Sequence, residues 1–438
     1  MLFLPLVTLL CGFAETAHGS SLLPNVNAAF GDSPASFNIS VDRGFINGLR
    51  ERVRRARLPV EVQSVSAGSD GPTIANVTSV QRFWVKDYDW ETTEQSINSR
   101  FKQFTTTVQM PPQSNYSQDV PLHFVHHKSS RPDAIPLLFV HGWPGSFLEV
   151  ENIIGFLTNP PNSSLPAFHV VAPSIPGFGF SPAPRYAGFG SEEAGHAFNA
   201  LMHQLQYAKY VMQSGDFGAI IMRYQAVSYP QNLVSVLSNF WPVQPNATDL
   251  ARYAANETTT DETEYIARFN TFVDVESGYR IIQETQPLTI GYALTDSPLG
   301  FAMWIFSLMR EAVDPHITIW TAQDIITWSL MYTIQGPYGG VRLYEEMLRE
   351  CAFQGLGVGN LGGTPGSYFK QPVAISEFPY DIWYGLPLDW AQRGGNAKVR
   401  YMHDRGGHFA AWEVPQLLAD DIWGWFGDRE VSGTKVFY

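Results

Sequence analysis

The sequence holds only two cysteines in 438 residues, Cys11 and Cys351. That excludes a disulfide framework, and with it zinc sites built on cysteine. Charge is scarce, at 16% of residues, and the basic share is the smaller one: 28 Lys plus Arg stand against 41 Asp plus Glu, a net charge of −13. With no long basic run, the chain is unsuited to a nucleic-acid partner, and polyanionic substrates are disfavoured. There is no internal repeat, no low-complexity tract and no Gly-x-Ser-x-Gly. Abundance lies elsewhere, in 45% hydrophobic residues and 14% aromatic ones, from 12 Trp, 19 Tyr and 29 Phe. Such a composition makes a globular chain with large buried surfaces or an apolar cavity, and the length leaves room for elements beyond one core.

The N-terminus is an apolar stretch of about 13 residues, Leu2 to Ala14, followed by small and polar residues from Glu15 to Ser20. It is shorter than the roughly 20 residues of a spanning helix, and no other such run would hold the mature chain in a membrane. The pattern predicts a signal peptide over 1–19, with anchorage in the endoplasmic reticulum membrane as the alternative. Asn-x-Ser/Thr triplets at Asn38, Asn76, Asn115, Asn162, Asn246 and Asn256 agree with a glycosylated protein of the secretory lumen.

Short apolar or β-branched runs predict strands at Phe104–Val108, Val120–His126, Ile135–Val140, Phe168–Ala172 and Tyr210–Gln213, then at Val373–Ser376 and Lys398–His403. Helical patterns fall at Asp42–Leu58, Glu149–Leu157, Ser191–Gln206, Ala219–Ser228 and Val414–Phe426, with a polar loop at Ser64–Asn76. Alternating strands and helices predict an α/β fold, a mostly parallel sheet with helices on both faces. The organisation expected is an N-terminal domain over 20–119, a core over 120–240 and 351–438, and a helical lid inserted over 241–350.

Ser214-Gly215-Asp216-Phe217-Gly218 follows one strand and opens a helix, the setting of a nucleophile elbow with Asp216 at its centre. A carboxylate can open a strained ring or displace a halide, giving an alkyl ester, and needs no deprotonation at neutral pH. His141-Gly142-Trp143-Pro144-Gly145, at another strand end, offers the Trp143 N–H to an oxyanion, with the Phe217 N–H as second donor. Arg405 to Glu413 places His408 on a Gly-rich loop after a strand, as a general base. The acid that orients it falls between nucleophile and histidine, at Asp381 or Glu377, with Asp404 a weaker candidate.

In these motifs, and from roughly Phe37 to Phe426, the chain resembles the epoxide hydrolases of the α/β-hydrolase superfamily, of the microsomal and juvenile-hormone type. Phe83-Trp84 with Tyr88-Asp89-Trp90, then Phe101 and Phe104, is similar to the family's N-terminal signature, with Phe83 replacing a Tyr. Ser214 replaces a Gly and Phe217 a Trp of the nucleophile motif, and neither change touches the backbone donors. The resemblance selects Asp381 as the acid and implies lid tyrosines, Tyr279 and Tyr344, as proton donors. It further implies hydrolysis of an apolar epoxide by water to a vicinal diol, with no metal or cofactor. A haloalkane-dehalogenase-like hydrolase and a catalytically silent binding protein of the same fold are the alternatives. Trp84, Tyr88 and Trp90 are expected to pin the N-terminal segment to the core. Trp304, Phe306, Trp320, Trp328 and Tyr332 are left between lid core and pocket wall.

Overall fold

Among the described residues nine strands form one sheet: β1 (Ala35–Phe37), β2 (Gln103–Val108), β3 (Val120–His127), β4 (Ile135–Val140), β5 (Phe168–Pro173), β6 (Tyr210–Ser214), β7 (Leu233–Ser238), β8 (Phe369–Glu377) and β9 (Gly395–Met402). Their order is β1-β2-β3-β5-β4-β6-β7-β8-β9. The pairs joining β1, β2, β3 and β5 are antiparallel, and all pairs from β5 through β9 are parallel. The computed structural model describes residues 22–62, 68–317, 320–350, 352 and 368–438. The expected leader, both cysteines and the start of the polar loop at Ser64 lie outside them.

Central β4 and β6 are apolar because both faces are covered: every β6 residue is buried, as are all of β4 except Pro136. Two helices pack together on that region, α5 (Ser191–Gln204) and α6 (Asp216–Ser228) by the numbering that starts with α1 (Arg43–Arg55), α2 (Ile74–Lys86), α3 (Trp90–Arg100) and α4 (Ile154–Thr158). Between β7 and β8 the described residues make seven helices: α7 (Ala247–Ala254), α8 (Thr260–Thr271), α9 (Gly278–Thr285), α10 (Pro287–Asp296), α11 (Pro298–Met309), α12 (Ala322–Thr333) and α13 (Tyr338–Arg349). After β8 come α14 (Leu388–Ala391), α15 (Ala410–Glu413) and α16 (Pro415–Gly427).

Several expectations need correction. The helix expected at Glu149–Leu157 is a tight turn over Phe147–Val150 followed by α4, which lets Phe147, Leu148 and Val150 all be buried instead of spreading around one helix. The polar loop ends before Ile74, where Thr73 caps α2 by accepting the Asn76 N–H. Helix α6 starts three residues earlier than its apolar pattern, at Asp216 itself. Strands β1 and β7 were not foreseen; β7 carries Ser235 and Ser238 inside a buried run.

Trp84, Tyr88 and Trp90 are buried, but their segment is pinned to the helical insertion. The Tyr88 hydroxyl bonds Thr327 Oγ1 at 3.1 Å, Gln323 donates to Thr93 at 3.0 Å, and α2 packs on α12 and α11. Trp320, Trp328 and Tyr332 are core residues of the insertion, with Trp320 and Trp328 ring centroids 4.8 Å apart. None of the five undecided aromatics lines either cavity at the site.

Candidate active site

Strand β6 delivers Asp216 to the sheet's C-terminal edge through a sharp turn in which Asp216 takes φ +46°. A non-glycine residue in that left-handed region costs about 1–3 kcal/mol, which surrounding structure must hold in place. Gly218 permits it, since a Cβ there would collide with the Val140 carbonyl, so no larger residue lets α6 approach β4 this closely. Ser214, where the resemblance expects Gly, is fully buried and turns its hydroxyl to Met222 Sδ at 3.2 Å, leaving the turn intact.

The turn after β4 closes over this carboxylate. Trp143 N–H donates to Asp216 Oδ1 at 2.7 Å, and the Phe217 N–H bonds the same carboxylate. A Cβ on Gly142 would overlap Asp216, so this glycine is what lets turn and nucleophile touch. Burial pushes the Asp216 carboxyl up from its ordinary range, while His408 and the two N–H donors pull it back toward the ionised form.

His408 lies across from it, with Nε2 3.6 Å from Asp216 Oδ2 and Nδ1 3.1 Å from Asp381 Oδ1. Burial opposes charge on this imidazole, but Asp381, Asp216 and Glu149 together overcome it and raise its pKa to about 10. Of the candidate acids, only Asp381 meets the histidine. Glu377 instead accepts Gly385 N–H at 2.7 Å and faces Arg400 Nε at 3.6 Å, and Asp404 is exposed. The backbone fixes the ring from behind, for His408 N–H donates to Ala312 O at 2.8 Å.

Tyr279, at the start of α9, and Tyr344, on α13, hydrogen-bond each other through their hydroxyls above Asp216. Burial and the Asp216 charge push both phenols above their ordinary value, so both are protonated at neutral pH. The Trp143 ring stacks on Tyr279, and Phe217 meets Tyr344 edge-on with centroids 4.6 Å apart. The space beneath is apolar in the main. One cavity, of about 390 Å³, contains Asp216, Tyr279 and Tyr344 among aromatic walls; another, of about 290 Å³, contains Asp216, Tyr279 and His408. Among the described residues no cluster of three or more His, Cys, Asp or Glu could hold a metal ion.

Glu149 was not singled out from the sequence. Its carboxyl folds back onto Gly145, where any Cβ would overlap it, and accepts the Gly142 N–H. Desolvation pushes it up to about 8, His408 opposing and the Asp216 charge adding to the rise. The local signal is a glutamate four residues beyond the last glycine of the oxyanion turn.

The description "epoxide hydrolase N terminus" matches residues 34–150 and "alpha/beta hydrolase fold" matches residues 135–297. With the sheet order and an elbow at the end of β6, these make the chain an α/β-hydrolase. A putative epoxide hydrolase of Stigmatella aurantiaca (strain DW4/3-1) is 31% identical over 395 residues, covering 88% of this chain and 83% of that protein. Epoxide hydrolase 1 of Sus scrofa is 30% identical over 425 residues, covering 90% and 89%. The chain therefore belongs to the epoxide hydrolase family. Among solved structures, an enantioselective mutant of the Aspergillus niger epoxide hydrolase superposes with a TM-score of 0.75 at 27% identity, over 91% of this chain and 97% of that one. Juvenile hormone epoxide hydrolase of the silkworm Bombyx mori shares the fold, with a TM-score of 0.80 at 24% identity over 92% and 96%.

Proposed function

We propose that the chain opens an apolar epoxide with Asp216 and releases a vicinal diol by hydrolysis of the resulting ester. The observation that carries this is a carboxylate, in place of a hydroxyl, seated in the elbow under a pair of protonated tyrosines. Asp216 attacks a ring carbon from the side opposite the oxygen, and Tyr279 or Tyr344 protonates that oxygen as the C–O bond breaks. The resting imidazolium of His408 replaces the tyrosine's proton, which leaves His408 neutral when it is next needed as a base. Water then gives a proton to His408 and adds to the Asp216 carbonyl carbon, while the Trp143 and Phe217 N–H groups hold the oxyanion. Collapse expels the diol, its alkoxide takes the proton of the reformed carboxyl, and the carboxylate–imidazolium pair returns. A single turnover in heavy-oxygen water should label Asp216 and leave the first diol unlabelled; label in that diol would sink the covalent route.

The same reading places the mature chain in the secretory lumen, with the leader over 1–19 removed and glycans on Asn38, Asn76, Asn115, Asn162, Asn246 and Asn256. Exposure of all six supports it. At Asn162 and Asn246 the hydrogen bonds to neighbouring N–H groups use Oδ1, which leaves the amide nitrogen that glycosylation modifies. Among the described residues no helix is long and apolar enough to cross a membrane. Endoglycosidase treatment of the protein from its own cells should increase gel mobility; unchanged mobility would count against lumenal residence.

A further inference from the structure

The axis from nucleophile to acid divides the site. Asp216 and Tyr279 line both cavities, and so do Phe272 and Ile382, which makes these four residues a waist between two arms. The larger arm, about 390 Å³, runs along Phe217, Ile220, Phe240, Phe269 and Trp383. The smaller, about 290 Å³, runs along Trp143, Pro144, Leu308 and Phe409, and ends at Glu276 and Glu311. Those two carboxylates and Ile382 also border an outer groove, so the smaller arm leads to the surface.

Epoxide geometry gives this division a meaning. Attack comes opposite the ring oxygen, so with Asp216 on one side and Tyr279 on the other, the ring C–C bond lies across the axis that joins them. Groups on the two carbons must then diverge to either side. A terminal epoxide fills one arm and leaves the apolar side chains of the other, such as Leu308 and Phe409 in the smaller, bare, forfeiting the stabilisation that burying a hydrocarbon group against them would give.

We propose that the substrate carries an apolar group on each epoxide carbon, the bulkier in the larger arm, and that Phe272 and Ile382 sort the two groups. This rests on the epoxide hydrolase reading above. Phe272 is held for the task by Trp383, ring centroids 5.4 Å apart, and sits on a single wide helical turn, Phe272–Glu276, between α8 and α9. Wide turns of this kind interrupt a helix where a side chain must be re-aimed, often at functional sites. Ile382 follows the acid Asp381, whose Oδ1 accepts the Ile382 N–H at 2.6 Å, so the waist and the His408 relay share one short segment.

The test compares two isomeric ten-carbon epoxides with the full chain, one terminal and one with the ring between the fourth and fifth carbons. The internal isomer should have a kcat/KM about tenfold higher or more, since each methylene group in an apolar pocket is worth roughly that factor. Many turnovers in heavy-oxygen water, with the diol fragmented by mass spectrometry, report which carbon is attacked. Phe272→Ala, which joins the arms, and Ile382→Ala, which keeps the backbone bond to Asp381, should both move that ratio toward even. Equal or better turnover of the terminal isomer, or an unchanged ratio in both variants, would overturn the proposal. No diol from either isomer would instead overturn the hydrolase reading beneath it.

Discussion

The ring of Trp143 lies stacked on the ring of Tyr279, centroids 5.5 Å apart and 12° from parallel, while its own N–H holds the Asp216 carboxylate. One residue thereby gauges the gap between nucleophile and acid, through its backbone on one side and its indole on the other. Trp143→Ala keeps the N–H but frees Tyr279, so the rate of ester formation should fall about 10–100-fold, within the range of misplaced acid catalysis. Trp143→Phe, which retains a stacking surface, should recover most of it. Rapid-quench measurement of the first turnover checks both; an unaffected alanine variant would show that the indole has no part in placing the acid.

The pH dependence should differ between the two chemical steps. In the free enzyme His408 is raised to about 10, with the Asp216 charge among the causes. Ester formation removes that charge, so the histidine's pKa drops in the intermediate. Ester hydrolysis should rise with pH and level off at a midpoint below about 10, whereas ester formation, which draws on the imidazolium, should decline only as pH approaches about 10. A midpoint common to both steps, measured by quenching single turnovers across pH, would contradict this. His408→Gln, which removes both the imidazolium and the base, should slow ester formation and stop ester hydrolysis, so that the ester that does form persists as a mass increase on the Asp216 peptide.

Glu149 helps to raise His408 and also braces the oxyanion turn, and two substitutions separate these roles. Glu149→Gln retains the shape and loses the charge, so the alkaline limb of ester formation should move to lower pH by about a unit or less. Glu149→Ala also removes the acceptor of the Gly142 N–H, and should slow ester formation at every pH. An unmoved limb in the glutamine variant would restrict the residue to bracing.

Folding stability should decline from pH 6.5 to about 10, the upper part of the window belonging to His408, which at a folded pKa of about 10 keeps a proton that the unfolded chain releases near 6.5. Glu149 and Glu350, each raised to about 8 in the folded chain, take up protons that the unfolded chain has already released. Groups with a raised pKa stabilise below the unfolded value, and this contribution is lost as pH rises through the folded one. His123 and His141 work on the opposite flank: depressed to about 3 and about 4 by burial, they cost stability as pH falls below 6.5. The melting temperature by calorimetry should therefore drop by a few degrees across the alkaline window, and Glu350→Gln should flatten that slope. A slope as steep in the variant would assign the effect to other groups.

The elbow and the histidine loop were legible because their chemistry is local: Gly218 two residues beyond Asp216, and Gly406 and Gly407 before His408, lie within a few positions of the group they serve. The acid is open in the local pattern, since Glu377 and Asp381 are alike in type and only four residues apart, and it is the family resemblance that selects Asp381. The turn between them decides, in which Asp381 N–H donates to Phe378 O and aims one carboxyl at His408 while Glu377 stays with Gly385 and Arg400. Strand β7 escaped because its serines break the apolar run; Ser238 is nonetheless fully buried, its hydroxyl donated to Ser214 O at 3.0 Å. From the sequence the N-terminal signature points only to the core, because nothing local reveals that Thr327, which the Tyr88 hydroxyl bonds, lies 239 residues away.

That partner, Thr327, changes what the helical insertion can do. Tyr88, Gln323 and Arg52, which reaches Asp296, strap helices α10 and α12 to the segment between β1 and β2, so the insertion is moored from outside as well as by its own two ends. The opening bordered by Glu276 and Glu311 then gives substrate and diol a way in and out that leaves those straps unbroken.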